Sequence, residues 1–154
     1  MMQFMVQCMV AFMATWAFAL LYHVPQREYI CCGITGAAGW GCYIACCAAQ
    51  PSVVVAAFFA VLVLALMARI FAVARQCPAT VFLICGIYPL VPGAGIYYTA
   101  YYFIMGENAL SAAKGVETLK IAVAIALGIA AVLALPGGVF NIFAPKKKRE
   151  DLEK

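Results

Sequence analysis

The chain has 154 residues, of which 68% are hydrophobic and 10% are charged, with a net charge of +4. Soluble domains carry about 25% charged residues and about half apolar ones, so a water-soluble globular protein is excluded. The basic excess does not describe a nucleic-acid surface either: four of the ten Lys and Arg residues form the single run Lys146-Lys147-Lys148-Arg149, directly after the last apolar stretch, where a membrane anchor sits.

Residues 1–22, 29–68, 76–106 and 121–145 contain no charge. About 20 apolar residues cross ~30 Å of hydrocarbon at about 1.5 Å per residue, so these runs predict membrane helices. The first span is predicted over residues 3–22. It is expected to be retained rather than cleaved, because it lacks a basic start and no small-residue cleavage site precedes Tyr22-His23-Val24-Pro25.

The run 29–68 is long enough for two spans and is interrupted at Gln50-Pro51-Ser52. That predicts a second span over 29–49 and a third over 52–68 or slightly beyond, joined by a tight turn. In the second span, Gly33, Ala37, Gly41, Ala45 and Ala49 recur every four residues and line one helix face with small side chains. With Gly36, Gly39 and Trp40 they make a predicted helix-packing or partner-docking face.

The fourth span is predicted over 79–105, with Pro92 at its midpoint. Pro89 and Pro92 lack amide donors, and Gly93 and Gly95 relax the backbone, so this helix is expected to break at Pro89–Gly93 near mid-membrane. Backbone open at that depth must be buried in protein or line a wet cavity, because unpaired polar groups cost several kcal/mol in hydrocarbon. Carbonyls freed before Pro92 suit an ammonium group, and a new helix N-terminus near Gly95 and Ile96 suits a carboxylate. The break therefore reads either as a site for a small zwitterion or acid, or as a kink that only shapes packing. Tyr97, Tyr98 and Thr99 follow closely enough to line such a site, whereas Tyr101 and Tyr102 read as interfacial belt residues.

The fifth span is predicted over 118–135, ended by Pro136-Gly137-Gly138, and Ala122, Ala126, Ala130 and Ala134 give it a second small-residue stripe. The expected fold class is thus an all-α integral membrane protein with five transmembrane helices. Residues 1–143 form one membrane domain and 144–154 a charged cytoplasmic tail. Five spans collect Arg27, Arg69, Arg75 and the tail's basic residues on one side, with Lys114 and Lys120 on the other, 8 against 2. The excess marks the cytoplasmic side, which predicts an outside N-terminus and an inside C-terminus.

None of the eight cysteines forms a Cys-x-x-Cys, and His23 is the only histidine, so no metal or other cofactor is predicted. Cys31-Cys32 and Cys46-Cys47 lie in apolar helix, where no accessible thiolate is available. A membrane redox enzyme is disfavoured on that ground. No Asp, Glu, Lys or Arg lies well inside the second, fourth or fifth predicted span, where proton carriers usually sit. Coupling is then expected in a partner, with Glu107 and Glu117 at the outer loop and His23 at the inner side as the alternatives.

Val24-Pro25-Gln26-Arg27, Gly36-Ala37-Ala38-Gly39-Trp40-Gly41-Cys42-Tyr43 and Ile87-Tyr88-Pro89-Leu90-Val91-Pro92-Gly93-Ala94-Gly95-Ile96-Tyr97 together resemble the threonine/serine exporter family, and in particular its smaller half, over about residues 10–140. The resemblance implies export of small hydrophilic metabolites across the bacterial cytoplasmic membrane. It implies threonine and serine as substrates, or dicarboxylates such as succinate in two-component relatives, and a larger membrane subunit as partner. A structural subunit without substrate contact is the remaining alternative.

Overall fold

The computed structural model describes residues 2–49, 52–137 and 140, which contain helices and no strand. Helix α1 (Met2–Leu21) leads through a 3₁₀ turn at Gln26–Glu28 into α2 (Tyr29–Ala49), and α3 (Val53–Arg75) follows. A short α4 (Ala79–Ile87), a 3₁₀ turn at Tyr88–Leu90, α5 (Gly93–Ile104) and α6 (Asn108–Leu133) complete the order. Four helices are long and apolar enough to cross a membrane, and the bent pair Ala79–Leu90 and Gly93–Ile104 brings the count to five when it is taken as one span. The chain is a multi-pass, all-α membrane protein. Gln50-Pro51, Gly138 and the tail 144–154, with its Lys146–Arg149 run, lie outside the described residues.

Turn chemistry sets the connections. His23 (φ 53°) and Gln76 (φ 56°) adopt the left-handed conformation that closes a helix C-terminus, and Pro25 and Pro78 then start the next helical segments with φ near the proline value. Between α5 and α6, Gly106 takes φ +79°, which favours glycine.

The bundle closes on small residues. A Cβ on Gly33 would strike the Phe12 ring of α1, one on Gly36 would strike Thr15, and one on Gly41 would reach Cys8 Sγ at 3.3 Å. Gly39 abuts Leu64 of α3, and Gly128 of α6 abuts Val61 of α3. Such close approach supplies the dispersion contact that holds helices together where lipid removes the hydrophobic drive. Gly33 and Gly41 of the α2 stripe are thus used inside the chain, against α1; Ala37 is half-buried, and Ala45 and Ala49 are exposed. The α6 stripe differs. Ala122, Ala126, Ala130 and Ala134 are all exposed, while Ala124, Ile125, Gly128 and Val132 are buried.

Two helix ends depart from expectation. The third helix does not stop at residue 68 but runs to Arg75, because Arg69 is satisfied inside the protein. Its Nη1 donates to the carbonyls of Val132 (2.7 Å), Leu133 (3.3 Å) and Leu135 (2.7 Å), and its guanidinium lies 4.4 Å over the Phe140 ring. It therefore caps the negative C-terminal end of α6. The last helix begins at Asn108 rather than 118, since its polar first turns pack on α5. Ser111 Oγ donates to the Thr99 carbonyl at 2.9 Å, and a Cβ on Gly115 would come within 3.3 Å of the Thr99 side chain.

Candidate substrate cavity at the helix break

The halves of the fourth span meet at 48°. Pro89 sits inside the 3₁₀ turn, Val91 and Pro92 are non-helical, and α5 begins at Gly93. The ladder is interrupted because neither proline donates. Val91 N–H reaches back to the Ile87 and Tyr88 carbonyls at 3.2 and 3.3 Å, Gly93 N–H turns to the Val91 carbonyl, and the next backbone bond runs from Ile96 N–H to Pro92 at 3.1 Å. The carbonyls of Pro89 and Leu90 and the amides of Ala94 and Gly95 take part in none of these bonds. The free amides are therefore those of Ala94 and Gly95, not of Ile96, because α5 starts two residues before Gly95.

The N-terminal half of the span is pinned to the bundle. Tyr88 stacks on Phe18 of α1 with ring centroids 3.9 Å apart and its hydroxyl pairs with that of Tyr22. Leu90 is buried with Ala57, Ala60, Val61 and Leu64 of α3 and Ile125 of α6. The C-terminal half is not pinned in this way. Helix α5 has no buried residue and packs chiefly on α6.

Beside the break lies a cavity of about 320 Å³ lined by Trp40 and Tyr43 of α2, the segment Pro89–Ala94, and Ile121 of α6. That volume is at the lower end of the ~300–1,000 Å³ of small-molecule sites. Of the predicted site residues, the fold brings Pro89, Pro92 and Gly93 to this cavity. Nothing lies within 4 Å of a Cβ placed on Gly93. Gly95 instead faces α6, where it leaves room for Thr118. Thr99 is spent on the same interface, its hydroxyl donating to the Gly95 carbonyl at 2.7 Å. Tyr97 and Tyr98 are exposed and stack on Tyr101 and Tyr102, forming an aromatic ladder along α5 away from the cavity.

The cavity also uses residues that sequence reasoning left out or assigned elsewhere. Trp40 was expected on a packing face; it lines the cavity with its ring stacked on Tyr43 at 5.0 Å. Tyr43 ends the family-like segment of α2 without an expected site role, and Ile121 carries no local signal; only tertiary packing sets them opposite the break. Charge also comes nearer to the cavity than the α5–α6 connection. Lys114 and Glu117 form an ion pair at 2.9 Å on α6, and Glu117 lies one turn, about 6 Å, from Ile121. Among the described residues no group of His, Cys, Asp and Glu is arranged to hold a metal.

A second, more open groove of about 680 Å³ runs between α5 and α6 and includes Pro92, Ile96, Thr99, Ser111 and Thr118. The hydroxyls of Thr99, Ser111 and Thr118 are all committed to backbone carbonyls, so it offers a small solute little polar recognition.

A family model described as "Threonine/Serine exporter, ThrE" matches residues 7–135. No curated protein and no solved structure matches the chain.

Proposed function

The chain belongs to the threonine/serine exporter family, and on that premise we propose that it is the smaller subunit of a two-component secondary exporter in the bacterial cytoplasmic membrane. It moves threonine or serine out of the cell, with its N-terminus outside and its C-terminus inside. The observation that carries this reading is the break cavity. Free carbonyls at Pro89 and Leu90 and the free amide of Ala94 belong to residues that line one small space, which suits the ammonium and the carboxylate of one amino acid.

The partner reading rests on what the chain leaves open. Helix α5 buries no residue, the α6 alanine stripe is exposed, and unpaired amides stand beside them. Bare amides in hydrocarbon cost several kcal/mol each. A larger membrane subunit covering α5 and α6 would remove that cost. Proton coupling is assigned to the same partner, because Glu117 is already neutralised by Lys114.

Transport assays in cells lacking both subunits test the proposal. Export is expected only when both are restored, and full export with this chain alone would refute the half-transporter. A dicarboxylate such as succinate also suits the free amide of Ala94, so the panel includes it. A reporter fused after Lys154 is expected to be active only inside the cell.

A further inference from the structure

A further groove, open at exposed Val6 and Val10, abuts the break on the α1 side. It holds about 400 Å³ between Val6, Gln7, Val10 and Phe18 of α1 and the residues Trp40, Tyr88 and Pro89. The break cavity shares two of these residues, Trp40 and Pro89. Pro89 belongs to the broken backbone itself. The Trp40 indole is therefore the side chain from the bundle that stands between the two spaces.

That wall is held stiffly. Its ring stacks on Tyr43 at 5.0 Å with 24° between planes. The helix beneath it lies close to its neighbours, because a Cβ on Gly39 would come within 3.0 Å of Leu64 and one on Gly36 would strike Thr15. The α1-side space is also preformed, since Tyr88 on its far wall is fixed by the Phe18 stack and the Tyr22 hydroxyl. Close-packed interiors yield little to an oversized group.

We infer that Trp40 sets the upper size of the side chain this exporter accepts, by closing the break cavity off from the α1-side space. The inference rests on the break cavity being the substrate site. A substrate with a longer side chain than threonine meets the indole, and removing the indole adds the neighbouring cavity to the site.

The test measures export of serine, threonine, valine and leucine from cells carrying the complete transport system. Trp40→Ala is expected to raise the leucine-to-threonine rate ratio at least tenfold, the scale on which apolar pockets discriminate, with Trp40→Phe between it and the parent. Val10→Phe, which fills the α1-side space, is expected to leave parental threonine export unchanged and to reverse the leucine gain of Trp40→Ala. Should Trp40→Ala fail to reach the membrane, the graded ratio in Trp40→Phe and Trp40→Leu decides. A ratio that stays constant while all rates fall together overturns the inference, because a packing role lowers export without regard to size. Gly93→Val separates the two readings. If it abolishes threonine export while the Trp40 ratio is flat, only the size limit fails. If it leaves threonine export intact, the break cavity is not the site and both readings fail.

Discussion

Arg75, the last residue of α3, donates through Nε to both carboxylate oxygens of Glu28, at 3.1 and 2.9 Å. Its Nη2 also reaches the Arg27 carbonyl at 3.2 Å. This fork ties the α1–α2 connection to the end of α3, so Arg27 and Arg75 share one face of the molecule. The two partners are unequal: the Arg75 side chain is 42% exposed and that of Glu28 only 6%. Arg75→Met leaves a buried carboxylate unpaired and is expected to cost about 1–3 kcal/mol. Glu28→Gln leaves a guanidinium that water can reach, and is expected to cost less than about 1 kcal/mol. Melting of the detergent-solubilised protein checks the order, and equal losses would refute it.

Gly95 and Gly93 are two residues apart but have opposite surroundings. A methyl group on Gly95 collides with Thr118 of α6, while one on Gly93 meets nothing within 4 Å. Gly95→Ala is expected to destabilise the α5–α6 pair by about 1–3 kcal/mol, in the range of an overpacked interior. Thr118→Ala in the same chain makes room and should recover most of it. Gly93→Ala should melt like the parent. Thermal unfolding of the three variants tests this, and a Gly95→Ala protein as stable as the parent would contradict the packing described.

Arg69 holds the last carbonyls of α6 through a single nitrogen. Arg69→Met keeps much of the side-chain bulk and removes the donors, with an expected cost of about 1.5–3 kcal/mol for hydrogen bonds from a charged group. Hydrogen exchange should rise in the last turn, residues 130–135, and stay unchanged at residues 56–65 of α3. Uniform protection across α6 would count against the cap.

The exposed alanine stripe of α6 gives a direct test of assembly. Ala126→Leu and Ala130→Leu project into open space in this chain, since both positions are exposed. They are expected to leave its melting temperature unchanged and to lower recovery of the larger subunit in affinity purification several-fold. Normal recovery would move the docking face elsewhere.

The break was legible because proline's missing donor is a property of the residue, and no tertiary contact restores an amide that is not there. The spans were legible for a related reason: hydrocarbon thickness and the cost of burying charge act on local composition. Helix ends were less so. Arg69 read as the end of a span, yet α3 continues through it, because the carbonyls that receive its charge come from α6, more than sixty residues later. Tyr97 and Tyr98 were placed near the break by distance along the chain, but the α5 helix turns them outward, and helical direction decides which neighbours share a face.

By itself, the sequence determined an all-helical, multi-pass apolar chain, the helix break at Pro89–Gly93 and the family, all of which depend on residue type and order. Only the tertiary structure decided which surfaces meet there. Trp40 and Tyr43 of α2 and Ile121 of α6 line the cavity beside the broken segment, and glycines 36, 39 and 128 let four helices, α1, α2, α3 and α6, approach closely. The small-residue stripe of α2 is partly used against α1, while that of α6 remains uncovered. Similar spacing appears in both stripes, and packing against the rest of the bundle separates them.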